Sequence, residues 1–199
     1  MLKESFLGRN PSHFVINPIV KAYIVSESFL WSGWYLAIPL LSIFVVKYIP
    51  GSTIEQAGFS FSVYFVSRVI FELISGRYLK GSTDKQKFSI TIVGMICTSL
   101  AYLGMAFSAN IMHVYFSFAI AGVGLGLATP AKNSLFSVHL DKNKESTEWS
   151  LADGAQFTCI ALATALGGFI ANTFGFQVLF LIAAIINLIA TIPYLLYVF

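Results

Sequence analysis

Gly33-Trp34-Tyr35-Leu36-Ala37-Ile38-Pro39 and Gly124-Leu125-Gly126-Leu127-Ala128-Thr129-Pro130 are the two stretches whose reading decides the fold. Glycine, leucine, alanine and proline recur in them at the same intervals, 91 residues apart. Both stretches lie inside long apolar segments. The same offset carries the other apolar segments of the first half onto those of the second. Residues 55–79 fall on 146–170, residues 88–107 fall on 179–198, and Gly76 falls on Gly167. Single identities in apolar sequence are weak; one offset shared by three segment pairs is an internal repeat.

Composition says where such segments reside. The 199 residues are 57% hydrophobic and 11% charged, with a mean hydropathy of +0.78. Soluble domains carry about 25% charged residues, and no water-soluble core of this size hides so much apolar surface. The chain reads as an integral membrane protein. Its segments run roughly 20 residues, the length of a spanning helix and twice that of a barrel strand. The net charge of +3 does not indicate nucleic-acid binding, because the Lys and Arg residues sit at membrane edges. Cys97 and Cys159 fall inside apolar segments and give neither a disulfide framework nor a metal spacing. No metal, cofactor or catalytic group is expected.

Six spanning segments are predicted, at about 21–46, 55–79, 88–107, 111–138, 146–172 and 174–199. Residues 1–20 read as a short cytoplasmic arm, and 21–199 as one all-α membrane domain with repeats at about 21–107 and 111–199. The connections are short, so consecutive helices are antiparallel neighbours. Lys3, Arg9, Lys21, Arg77, Lys80, Lys85, Lys87, Lys142 and Lys144 flank one side of the membrane, and only Lys47 the other. Positive charge favours the cytoplasm. Both termini are therefore expected inside a plasma (inner) membrane. The first and fourth segments then cross in opposite senses, so the repeat is inverted, a plan found in secondary-transporter bundles. Pro39 lies in the outer half of its helix and Pro130 in the inner half of its own.

Ionisable side chains inside a bilayer are costly and turn toward a bundle interior or cavity. Five lie more than a helical turn inside the segments: Glu27, Arg68, Glu72, Lys132 and Asp153. At 1.5 Å per residue all five fall roughly 10–17 Å from the inner surface. Arg68 and Glu72, four residues apart, can pair on one helix face. Glu27, Lys132 and Asp153 carry one surplus negative charge. Burial disfavours the charged form of a surplus carboxylate, which is what proton coupling requires. The same residues would equally serve as a static or gating ion-pair network.

Trp31, Trp34 and Tyr35 follow Glu27 near one helix face. Aromatic rings with polar handles suit a cavity for amphipathic solutes, and suit packing as well. Tyr64, Asn133 and Gln156 stand near Arg68, Lys132 and Asp153 and extend the candidate lining. Gly122 and Gly126 form a small-xxx-small pair for close helix approach, and Gly167 belongs to a similar run with Ala163 and Ala171. Gly122, Gly124 and Gly126 do not make a dinucleotide fingerprint, because Leu127 stands at its sixth position and no strand precedes it. Pro39 and Pro130 remove backbone donors and can bend their helices.

Four stretches together resemble the major facilitator superfamily. Phe71-Glu72-Leu73-Ile74-Ser75-Gly76 before a basic loop is similar to the end of that family's second helix. Its signature loop usually reads G-x-x-x-D-[RK]-x-G-[RK]-[RK]; here Gly76 matches, Lys80 stands where Asp is expected, and the loop's acid is Asp84. AGVGLGLATPAKNSLF resembles the family's glycine-rich fourth helix. ALATALGGFIANTFGF resembles the fifth helix leading into the sixth, without the Gly-Pro pair of drug antiporters. The resemblance implies one six-helix half of a twelve-helix fold. The expected function is secondary transport of a small solute by alternating access, with membrane lipid around it and a parallel homodimer or a second half completing it. The alternative is a non-transporting scaffold or regulatory subunit derived from a transporter half, which the altered loop favours. An intramembrane enzyme is not expected, since no histidine lies at depth beside a nucleophile.

Overall fold

The structure is a computed structural model and describes residues 16–198. Most of the predicted arm, through residue 15, lies outside the described residues. Among the described residues, eight α-helices build six spans. The first span joins α1 (Pro18–Ala37) to α2 (Leu41–Tyr48) through a 3₁₀ turn at Ile38–Leu40. Then come α3 (Ile54–Tyr78), α4 (Asp84–Ala106), α5 (Ile111–His139) and α6 (Glu145–Phe174). The sixth span joins α7 (Phe176–Ile189) to the single turn α8 (Ile192–Leu195). The expectation of one helix over 174–199 is corrected at Ala190–Thr191, where the chain turns.

Polar residues at the span ends start the helices by occupying orphan backbone donors. Thr53 with Gln56 and Thr83 with Gln86 form capping boxes, and Asn110 accepts from the His113 amide at 3.1 Å. Gly175, at φ +86°, ends α6 and starts α7 in one residue. That left-handed conformation suits glycine, which has no Cβ to clash.

The two prolines behave differently. Pro39 breaks its span into α1 and α2, whereas Pro130 sits inside an unbroken α5. Expected bending at both positions is thus realised as a change of helix type only at Pro39.

Spans 1 and 4 stand in the middle of one face, in contact with each other. Span 5 flanks span 1, and span 2 flanks span 4. Spans 3 and 6 form a layer behind, 3 packed on 4, 6 on 1, and 3 on 6. Exchanging spans 1, 2, 3 for 4, 5, 6 leaves this set unchanged, whereas the contacts of span 1 with 2 and of span 5 with 6 have no comparable counterpart. Details follow the same exchange. Gly33 abuts Asn187 and Ala183 on span 6, while Gly124 abuts Gly94 and Thr98 on span 3. The Leu36 carbonyl sits against Gly167; the Leu127 carbonyl accepts from Ser75 Oγ at 2.9 Å. Gly76 has no neighbour in the space its missing side chain would fill, so its alignment with Gly167 does not extend to packing.

The core between the layers is aromatic and aliphatic. Trp34, Tyr64 and Tyr102 meet inside it, with Trp34 and Tyr64 rings 4.9 Å apart. Spans 2 and 5 are the least buried and expose large apolar side chains such as Phe65, Val69, Phe157 and Leu162.

Candidate functional site

The two middle helices meet through charge. Glu27 of α1 and Lys132 of α5 are 3% and 2% exposed, and Lys132 Nζ lies 2.6 Å from both carboxylate oxygens of Glu27. Helical spacing sets the surroundings. Trp31, one turn after Glu27, donates from Nε1 to Glu27 Oε2 at 3.0 Å. Lys132 Nζ stands 5.7 Å from the Trp31 ring centroid, a distance at which an ammonium is attracted by the ring face. One residue on, Asn133 accepts from Tyr23 Oη at 3.1 Å, and Tyr23 stacks on Phe136 at 4.1 Å. Two charges buried this deeply persist because each neutralises the other and the remaining lone pairs find donors.

A second charged group lies on span 2. Arg68 Nε is 3.3 Å from Glu72 Oε2, and Arg68 Nη1 donates to Tyr64 Oη at 2.8 Å. This pair is more open, with side chains 22% and 40% exposed. Asp153, on the flanking α6, is exposed and has no ion pair among the described residues. The expected trio of Glu27, Lys132 and Asp153 is therefore resolved. Glu27 and Lys132 neutralise each other, and Asp153 carries the surplus charge. Gln156, one turn on from Asp153, is half-buried.

Span 1's aromatic residues divide. Trp31 is half-buried beside the ion pair and Tyr35 is exposed on the same side, with rings 6.2 Å apart. Trp34 is buried in the core against Tyr64 and Tyr102, so its expected cavity role is corrected to packing. Tyr64 is buried too, accepting from Arg68 at its hydroxyl while the guanidinium stands 5.9 Å from its ring centroid. Gly122 and Gly126 hold α5 against α3: Gly122 faces Tyr64, Ser67 and Arg68, and Gly126 faces Arg68, Phe71 and Glu72. The α3–α5 contact thereby fixes where Arg68 and Glu72 stand.

Several polar residues escape sequence reasoning. Ser26 and Ser99 donate to the Ala190 and Ala184 carbonyls of span 6, both at 2.7 Å. Small hydroxyls inside apolar segments are the only sequence signal for such bonds. Asp84 lies 3.2 Å from His139 Nε2 and 3.7 Å from Lys87 Nζ, tying the start of α4 to the end of α5. The altered signature loop thus has its own lock. Glu148 is fully buried at the start of α6, and its Oε2 accepts from the Asp141 amide at 2.9 Å. No group of metal-binding side chains occurs among the described residues.

No curated protein matches the chain. Among similar solved structures is the POT family transporter PepTSo, seen in an in meso crystal structure. It is 17% identical with a TM-score of 0.73, over 89% of this chain and 37% of that one. The chain therefore spans little more than a third of that transporter, which shares its fold. The Major Facilitator Superfamily matches residues 24–199, nearly the whole six-span bundle, and the chain belongs to that superfamily.

Proposed function

We propose that this protein is a secondary transporter of a small solute, working by alternating access as a parallel homodimer in the plasma membrane. The observation that carries this reading is the Glu27–Lys132 pair. It is the one fully buried ion pair among the described residues, and it joins the two middle spans inside the bundle. An ion pair between two elements can have two states. Protonating Glu27 removes its charge, frees Lys132, and loosens the contact between the spans. A solute carboxylate near Lys132 would do the same by competition. Either event couples occupancy to the relative position of spans 1 and 4 within one bundle, a local rearrangement at the central site about which the two bundles would rock. Trp31, Tyr35 and Asn133 supply ring faces and amide groups beside the pair.

Both termini and the basic loops are assigned to the cytoplasm by the excess of Lys and Arg there. A parallel pair keeps those loops on one side, whereas an antiparallel pair would split them. Lys80, where the family's loop carries Asp, favours a second reading: a non-transporting subunit that only binds a partner.

The test is flux. Proteoliposomes loaded with a pH-sensitive dye are challenged with a panel of amino acids, peptides, sugars and organic cations. The proposal expects one class to drive proton movement, and expects Glu27→Gln to abolish it while the protein stays folded. A folded Glu27→Gln variant with wild-type flux would overturn the coupling role. Absence of flux for every class would favour the non-transporting subunit.

A further inference from the structure

The order of helices on the open face dictates which surfaces meet in a pair. Spans 1 and 4 are central, with span 5 beside 1 and span 2 beside 4. A two-fold axis along the membrane normal lays this face on its own copy. Span 2 of one copy then lies beside span 5 of the other, and span 1 faces span 4. The contact is isologous, so it occurs twice.

Charge is incomplete on both flanking spans. Arg68 has five N–H donors. Two are engaged, by Glu72 and Tyr64, and the others have no partner among the described residues. Asp153 has no cation among them either. Depth matches. Asp153 lies about 12 Å along α6 from Glu145, while Glu72 and Arg68 lie about 9 and 15 Å along α3 from Tyr78. All are measured from the end that carries the basic loops. Both side chains also stand toward the middle of the face. Arg68 follows by one turn Tyr64, which meets Trp34 of span 1, and Asp153 lies within Coulombic reach of Tyr23 on span 1.

We infer that Arg68 of one copy pairs with the partner's Asp153, so that two symmetric ion pairs close the dimer near its basic end. This inference rests on the homodimer reading. The occupant of the open face is a second copy, because this chain itself carries both halves of the complementary charge at one depth. Leaving the surplus carboxylate and the unengaged guanidinium donors unmatched inside a bilayer would be costly. The pair also gives the dimer a gate: Glu72 competes for Arg68 from within one copy, so opening the interface transfers Arg68 from the partner's Asp153 to its own Glu72.

The test starts from a chain with Cys97→Ala and Cys159→Ala. Its mass is measured in lipid nanodiscs. Differently tagged copies carrying Arg68→Cys and Asp153→Cys are then co-expressed and oxidised. The inference expects a dimer, a disulfide between position 68 of one copy and position 153 of the other, and none between two copies of Arg68→Cys. In an unmodified background, Arg68→Gln and Asp153→Asn should each weaken dimerisation roughly tenfold. The double variant should be no weaker than either, because each single change already breaks the same pair. A monomer overturns the homodimer reading together with the inference. A dimer that cross-links 68 to 68, or shows additive losses, keeps the homodimer and overturns the ion pair.

Discussion

At the scale of residues, what the sequence reveals depends on how far apart the partners lie. Arg68 and Glu72 are four residues apart on one helix, and their pairing follows from helical spacing. Glu27 and Lys132 are separated by 105 residues. Spacing shows that both are deep, and that with Asp153 they leave one surplus charge. Which carboxylate takes Lys132 depends on the register of span 1 against span 4, set by packing that no local pattern encodes. Trp34 illustrates the same limit, since its direction relative to Trp31 is fixed by the Tyr64 and Tyr102 rings. The buried pair yields a sharp prediction. Lys132→Met leaves Glu27 uncompensated and should cost about 3–5 kcal/mol of stability, while Glu27→Gln/Lys132→Met together should recover most of that. Denaturation in detergent micelles measures both. A double variant that loses the sum of the two single losses would mean that the charges contribute independently of each other.

At the scale of elements, the six helices, their order and most of their ends are legible because apolar length and polar caps are local properties. The behaviour of individual small residues is not. Gly167 and Gly168 are adjacent in sequence and opposite in consequence. A Cβ on Gly167 would collide with the Leu36 carbonyl, whereas one on Gly168 meets nothing. Gly167→Ala should force α6 from α1 and cost about 1–3 kcal/mol. Gly168→Ala should be neutral or should stabilise by up to about 1 kcal/mol through helix propensity. Thermal unfolding of the two variants side by side checks the packing of span 5 on span 1, and a reversed order would refute it. The lock between α4 and α5 is weaker. Asp84 is half exposed, so Asp84→Asn should lower stability by at most about 1 kcal/mol, with the loss shrinking in high salt.

At the scale of the whole molecule, the repeat offset and the resemblance carry the reading from sequence to superfamily, but neither says what covers the open face. That face is defined by tertiary order, with spans 2 and 5 left at the flanks and the ion pair buried between spans 1 and 4. Six crossings return the last span to the side on which the first begins. A parallel dimer therefore places the end of one copy and the start of the other on the same side of the membrane. Two copies can then be joined head to tail by a flexible soluble linker, with no added spanning helix. The tandem chain should run in nanodiscs as a single chain of doubled mass, and should keep the flux of the unlinked protein. With Glu27→Gln in one copy only, flux should fall below that of the unmodified tandem, because both halves contribute to one central path. Tandem chains that associate further would show that each copy seeks a partner the linked copy cannot supply. Undiminished flux from the singly substituted tandem would show that each bundle works alone.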